Sequence, residues 1–166
     1  MSGSNDDWKR GARPLDGAGL TKGVAARPSA SKMSEIRENY ATFVVEHHED
    51  QTFFVRRADV SHRMRKELGS GSVRIDAQLD LHGCSRQEAA TNVIAFVRQA
   101  RSRGYRTLLL IHGKGLHAED GVGVLGHVVV DVLTRGPTAP WLLAVSTAHP
   151  RWGGTGALVV KLARER

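Results

Sequence analysis

The residues best suited to chemistry fall in three short clusters: "LDLHG" at 79–83, "HGKG" at 112–115 and "HPRWGG" at 149–154. In the first, Asp80 could orient His82 and stabilise its imidazolium, making His82 a general base or acid near neutral pH. The competing view is a surface strand whose polar edge happens to carry both residues. In the second, Gly113 and Gly115 let the chain approach an anion, backbone donors point outward, and Lys114 adds a positive charge. The Walker pattern is absent, because Lys114 is followed by Gly115 and not by Ser or Thr. In the third, Arg151 suits a phosphate, Trp152 suits stacking on a base, and His149 and the Gly153 and Gly154 pair complete the loop.

The elements that must position these clusters can be read from periodicity. Ile75, Ala77, Leu79 and Leu81 alternate with Asp76, Gln78, Asp80 and His82, which predicts a strand. Asp80 and His82 then share a face, about 6.5–7 Å apart. Ser85 and Glu88 form a capping box, opening a helix of about five turns through Ala90, Val93, Ile94, Val97 and Ala100, with Gly104 as its stop. "TLLLIHG" at 107–113 reads as a central strand buried on both sides. Val124, Leu125, Val128, Val129 and Val132 predict a second helix, and "WLLAVST" and "ALVVKLA" two further strands.

The resulting β-α-β-α-β-β order predicts an α/β (α+β) sandwich: a four-stranded mixed sheet with two helices on one face and the polar surface of the other left available. In open α/β sheets ligands settle at the carboxyl ends of strands, where the first two clusters fall. Before this unit, "TFVVEHHEDQTFFVRR" reads as two short strands around an acidic turn and "ADVSHRMRKELG" as a short basic helix, followed by a "GSGS" linker. Residues 1–33, rich in Gly, Ser and basic side chains, predict disorder, with Trp8 as an isolated aromatic. The expected division is an extension over 1–73 and a folded domain over 74–166.

A net charge of +7 suits a polyanionic partner. Its source is spread along the chain: 13 basic and 10 acidic residues up to Arg74, 11 and 7 beyond it. A single cysteine, Cys84, excludes a disulfide framework and a Cys-rich zinc cluster and fits a reducing, cytoplasmic setting. No secretory signal or membrane anchor is expected. Asp80, His82, His112 and His117 lack metal-binding spacing, so no metal site is expected.

Taken together, "LDLHG", the helix after it, "IHGKG" and "HPRWGGTGALVVKL" resemble the Smr domain, the small MutS-related module, over about 75–164. The resemblance implies a sandwich like the C-terminal domain of a translation initiation factor, and nucleic-acid binding with endonuclease activity on RNA or DNA. The family's DLH signature falls on Asp80, Leu81 and His82. Its second motif falls on His112, Gly113, Lys114 and Gly115, and its late glycine pair on Gly153 and Gly154. His112 thereby joins Asp80 and His82 as a catalytic candidate. An N-terminal arm like that of stand-alone bacterial members brings in the ribosome as a partner through residues 1–73. The absence of a MutS-like ATPase argues against a mismatch-repair motor. No cofactor is required if RNA is cut by its own 2′-hydroxyl, whereas a divalent ion on Asp80 would help on DNA. The rival class is a binding module that attaches to nucleic acid or the ribosome without cutting.

Overall fold

The computed structural model describes residues 13–14, 42–47, 52–114 and 124–165. Among them seven strands form one sheet: β1 (Arg13–Pro14), β2 (Phe43–His47), β3 (Phe53–Arg57), β4 (Ala77–Asp80), β5 (Thr107–Ile111), β6 (Leu142–Thr147) and β7 (Ala157–Leu162). Their order is β1-β4-β5-β7-β6-β3-β2. β4 and β5 run parallel, β7 is antiparallel to both β5 and β6, and β3 joins β6 antiparallel. The four expected strands are present. The sheet is wider than the sequence suggested, because strands from both sides of the 73/74 boundary hydrogen-bond into it. Trp8, Gly115, His117, the acidic turn at 48–51 and most of residues 1–33 lie outside the described residues.

Among the described residues three α-helices accompany the sheet: α1 (Met64–Leu68), α2 (Arg86–Ser102) and α3 (Val124–Arg135). At the start of α2, Ser85 Oγ accepts the Glu88 N–H at 3.2 Å while Glu88 Oε2 accepts the Ser85 N–H at 2.8 Å. Two otherwise free donors at the helix start thus find acceptors. The buried stripe of α2 is Ala89, Val93, Phe96, Val97 and Ala100, so Phe96 faces inward where Ile94 was expected, and Ile94 is half-buried.

The strand alternation divides the core in two. Leu108, Leu110, Leu158 and Val160 face α2 and α3, whereas Leu109, Val159, Phe54 and Ala144 face the other way. Both long helices therefore cover one face, as their crossovers require. The second face is not left open: Leu68 from α1, Ile75, Ala148 and Trp152 bury it. Neither face of the central strands is therefore left open as a binding surface. Among the described residues no helix is long and apolar enough to cross a membrane.

Candidate functional site

One end of the sheet gathers the carboxyl ends of β4, β5 and β6 and the entry to β7. β4 stops at Asp80, two residues earlier than alternation implied. The Leu81 N–H still bonds the Ile111 carbonyl at 2.7 Å, and the Cys84 N–H closes a turn on the Leu81 carbonyl at 3.0 Å. Gly83 supplies the positive φ of 77° that this turn needs. Leu81 is fully buried against α2 while its neighbours Asp80 and His82 are exposed.

At this turn the two side chains meet directly. His82 Nδ1 lies 2.6 Å from Asp80 Oδ1, and the same oxygen accepts the His82 backbone N–H at 3.0 Å. A carboxylate only accepts, so Nδ1 carries a proton, and in the neutral ring Nε2 is the nitrogen with the lone pair. The His82 side chain is 76 % exposed, which leaves Nε2 open to a substrate. The arrangement is an oriented imidazole base.

His112 behaves differently. It is 5 % exposed, and its buried Nδ1 has no hydrogen-bond partner among the described residues. Burial, with a further contribution from the charge of His127, holds its pKa below the ordinary imidazole range, against an opposing contribution from its bond with the Gly113 backbone. His112 is therefore mostly neutral near pH 7 and has no extra proton to give to a leaving group. A stability consequence follows from linkage. The unfolded chain takes up a proton near pH 6.5 that the folded chain refuses, so stability falls as pH drops below about 6.5 and levels off below the folded pKa. Urea midpoints between about pH 5 and 8 should show a His112→Gln variant losing less stability on acidification than the parent, and parallel curves would remove this role.

The phosphate cradle expected at 113–115 is also altered. The N–H groups of His112 and Gly113 both donate to the Gly156 carbonyl at 3.0 Å, so the Gly113 donor is not free for an anion. Gly113 has φ 86°, and a Cβ there would lie 4.0 Å from the His82 Cβ, so this turn packs beside the base. The exposed Lys114 remains as the positive group of that strand end. Gly156, which sequence reasoning passed over, lets the turn close: its Cβ would meet Lys114 Cγ at 3.0 Å. The signal was the third glycine of "GGTG", which periodicity cannot interpret.

In the 149–154 loop, His149 Nδ1 accepts the Arg151 N–H at 3.0 Å, which turns Nε2 away from that bond. Arg151 lies over Trp152 at 5.4 Å and donates from Nη1 to the Gly71 carbonyl at 3.0 Å. Gly153 and Gly154 have φ of 113° and 57°, which only glycine adopts readily. Trp152 is 7 % exposed and packs in the second core, so its ring anchors the loop and does not offer a stacking face, contrary to the sequence reading. Asp80, His82, His112, Gly113 and Lys114 thus share one strand end with Gly156, while His149 and Arg151 are tied to Gly71.

A mixed sheet with an aspartate-oriented histidine at the carboxyl end of its parallel pair defines a small α/β domain with its polar chemistry at one sheet end. The chain belongs to the Smr domain family, whose model matches residues 79–163. It is 32 % identical over 109 residues to the probable DNA endonuclease SmrA of Escherichia coli strain K12, covering 66 % of this chain and 57 % of that protein. It is 28 % identical over 157 residues to the ribosome rescue factor SmrB of Tolumonas auensis, covering 90 % and 85 %. The crystal structure of YdaL, a stand-alone small MutS-related protein from Escherichia coli, matches with a TM-score of 0.55 at 28 % identity, over 78 % of this chain and 97 % of that one.

Proposed function

We propose that the protein is an endonuclease that cleaves phosphodiester bonds in RNA, with His82 as general base. The observation that carries this reading is the 2.6 Å contact that fixes Nδ1–H on Asp80 and leaves Nε2 outward. Nε2 removes the 2′-hydroxyl proton, the 2′-oxygen forms a bond to the adjacent phosphorus, and the bond from phosphorus to the 5′-oxygen breaks. The departing oxygen takes a proton from solvent or from the His82 imidazolium, leaving a 2′,3′-cyclic phosphate. Lys114 lies on the neighbouring strand end as a counter-charge for the phosphate, and Asp80 stabilises the imidazolium in between.

DNA has no 2′-hydroxyl, so its cleavage needs an activated water and favours a divalent ion. At the DLH end Asp80 is the carboxylate that such an ion would use, and one of its oxygens is already bonded to His82. This donor set suits RNA better. The relative named a ribosome rescue factor supports the ribosome as the setting in which messenger RNA would be cut. End-labelled RNA and DNA, incubated with the protein with and without EDTA, should give RNA products ending in a cyclic phosphate under both conditions. Cleavage of DNA alone, or loss of all cutting in EDTA, would overturn the metal-independent mechanism. Binding without any cutting would leave the adaptor reading in its place.

A further inference from the structure

At the opposite end of the same strands lies a cleft of about 710 Å³ that the chemistry above does not use. Five cations line it: Arg63, Lys66, Arg74, Arg106 and Lys161. Two carboxylates share it, and both are engaged. Asp76 Oδ2 accepts the backbone N–H groups of Arg106 and Thr107 at 2.9 Å each, and Glu67 lies 3.5 Å from Lys161 Nζ. Among the described residues Arg63, Lys66, Arg74 and Arg106 have no carboxylate partner. Arg106 Nε is buried without a hydrogen-bond acceptor among the described residues, an arrangement that is unfavourable unless an acceptor arrives.

The position of the cleft relates it to the DLH end. Thr107 and Lys161 pair at one end of β5 and β7, and Ile111 and Ala157 pair at the other. Four residues of strand separate them, about 13 Å. Thr107, Leu109 and Ile111 alternate onto the second face, so both ends open on the same side of the sheet. The loop between α1 and β4 spans the interval. Its Gly71 carbonyl holds Arg151 and its backbone lies against the His149 ring, while its neighbours Ser70 and Ser72 line the cleft.

We propose that this cleft binds backbone phosphate of the same nucleic-acid strand, at nucleotides remote from the bond that His82 attacks. The inference rests on the nucleic-acid reading of the DLH end and extends it to the length of strand the protein grips. Unpaired guanidinium and ammonium groups with two serine hydroxyls at the rim match phosphate oxygens, and no aromatic side chain lines the cleft to read a base. Contact there is therefore independent of sequence and dependent on strand length.

The test measures binding of fluorescein-labelled single-stranded RNA to the full chain carrying His82→Ala, so that nothing is cut. Oligonucleotides of about 4 and about 16 nucleotides span the range of single-strand sites. The triple variant Arg63→Gln, Lys66→Gln, Arg74→Gln, all three side chains exposed, should bind the long RNA about tenfold more weakly and lower the salt slope by about 2. Its affinity for the short RNA should stay within about twofold. An equal loss of charge on the helical side, Arg98→Gln, Arg103→Gln, Arg135→Gln, should leave both unchanged. Equal weakening for both lengths, an equal effect of the helical control, or no change with the long RNA overturns the proposal. So does displacement of the long RNA's extra affinity by a nucleoside monophosphate, which would mark a free-nucleotide site. The readout is independent of cleavage. If wild-type protein cuts nothing while the length-dependent loss persists, the nuclease reading fails and the cleft stands. If cutting persists while the triple variant binds the long RNA like its parent, the cleft alone falls.

Discussion

His82→Ala should lower the rate of RNA cleavage by about 10²–10⁴-fold while leaving RNA affinity within a few-fold, because a positioned general base contributes about that much. The residue is exposed, so its removal should change stability by no more than about 0.5 kcal/mol. A loss of activity cannot then be assigned to unfolding. Asp80→Asn sharpens the test. A neutral amide has no charge to stabilise the imidazolium, and wherever its nitrogen faces Nδ1 it donates, moving the ring proton to Nε2 and removing the lone pair that attacks the 2′-hydroxyl proton. Asp80→Asn should therefore lose activity comparably to His82→Ala, and the double variant should be little worse than either, because the two residues act as one unit. Single-turnover rates with end-labelled RNA, alongside anisotropy for binding, check both statements. A His82→Ala rate within tenfold of wild type would place the base elsewhere, and additive losses would mean that Asp80 acts independently of the ring.

What the sequence disclosed follows the range of the interactions involved. The strand and helix pattern after Ile75 is local: alternation, a capping box three residues long and glycine stops each lie within one element, so the four strands, two helices and their shared face were legible. The clustering of Asp80, His82 and "HGKG" was legible too, because parallel strands must end on one side. The contacts that decide chemistry were less accessible. Asp80 and His82 meet at 2.6 Å because β4 ends in a turn, and alternation over so few residues cannot distinguish a strand's last residue from a turn's first. The Gly113 N–H is lost to an anion because Gly156, 43 positions away in sequence, offers its carbonyl. Trp152 is buried because Phe54, Leu68 and Ile75 cover the second face, which the patterned strands after Ile75 gave no reason to close. His112 sits in a polar motif yet lies inside the fold, and its neutrality is a property of that burial.

The DLH motif also depends on its middle residue, and Leu81→Ala carries the second large expectation. Leu81 is fully buried in the core between β4 and α2, where truncation of a leucine to alanine costs about 2–5 kcal/mol through lost burial and the cavity left behind. For a chain of this size that corresponds to a melting temperature lower by roughly 10 °C. The effect should reach the site, because the Leu81 backbone bonds Ile111 on one side and closes the turn with Cys84 on the other, and the turn is what folds His82 back onto Asp80. Cleavage measured well below the lowered melting point should therefore still fall. Leu81→Met, which conserves volume, should recover most of the stability and the rate together. Calorimetry and single-turnover cleavage on the two variants decide the matter. A Leu81→Ala protein that melts early yet cuts at the wild-type rate when folded would show that the turn holds its geometry without the buried side chain.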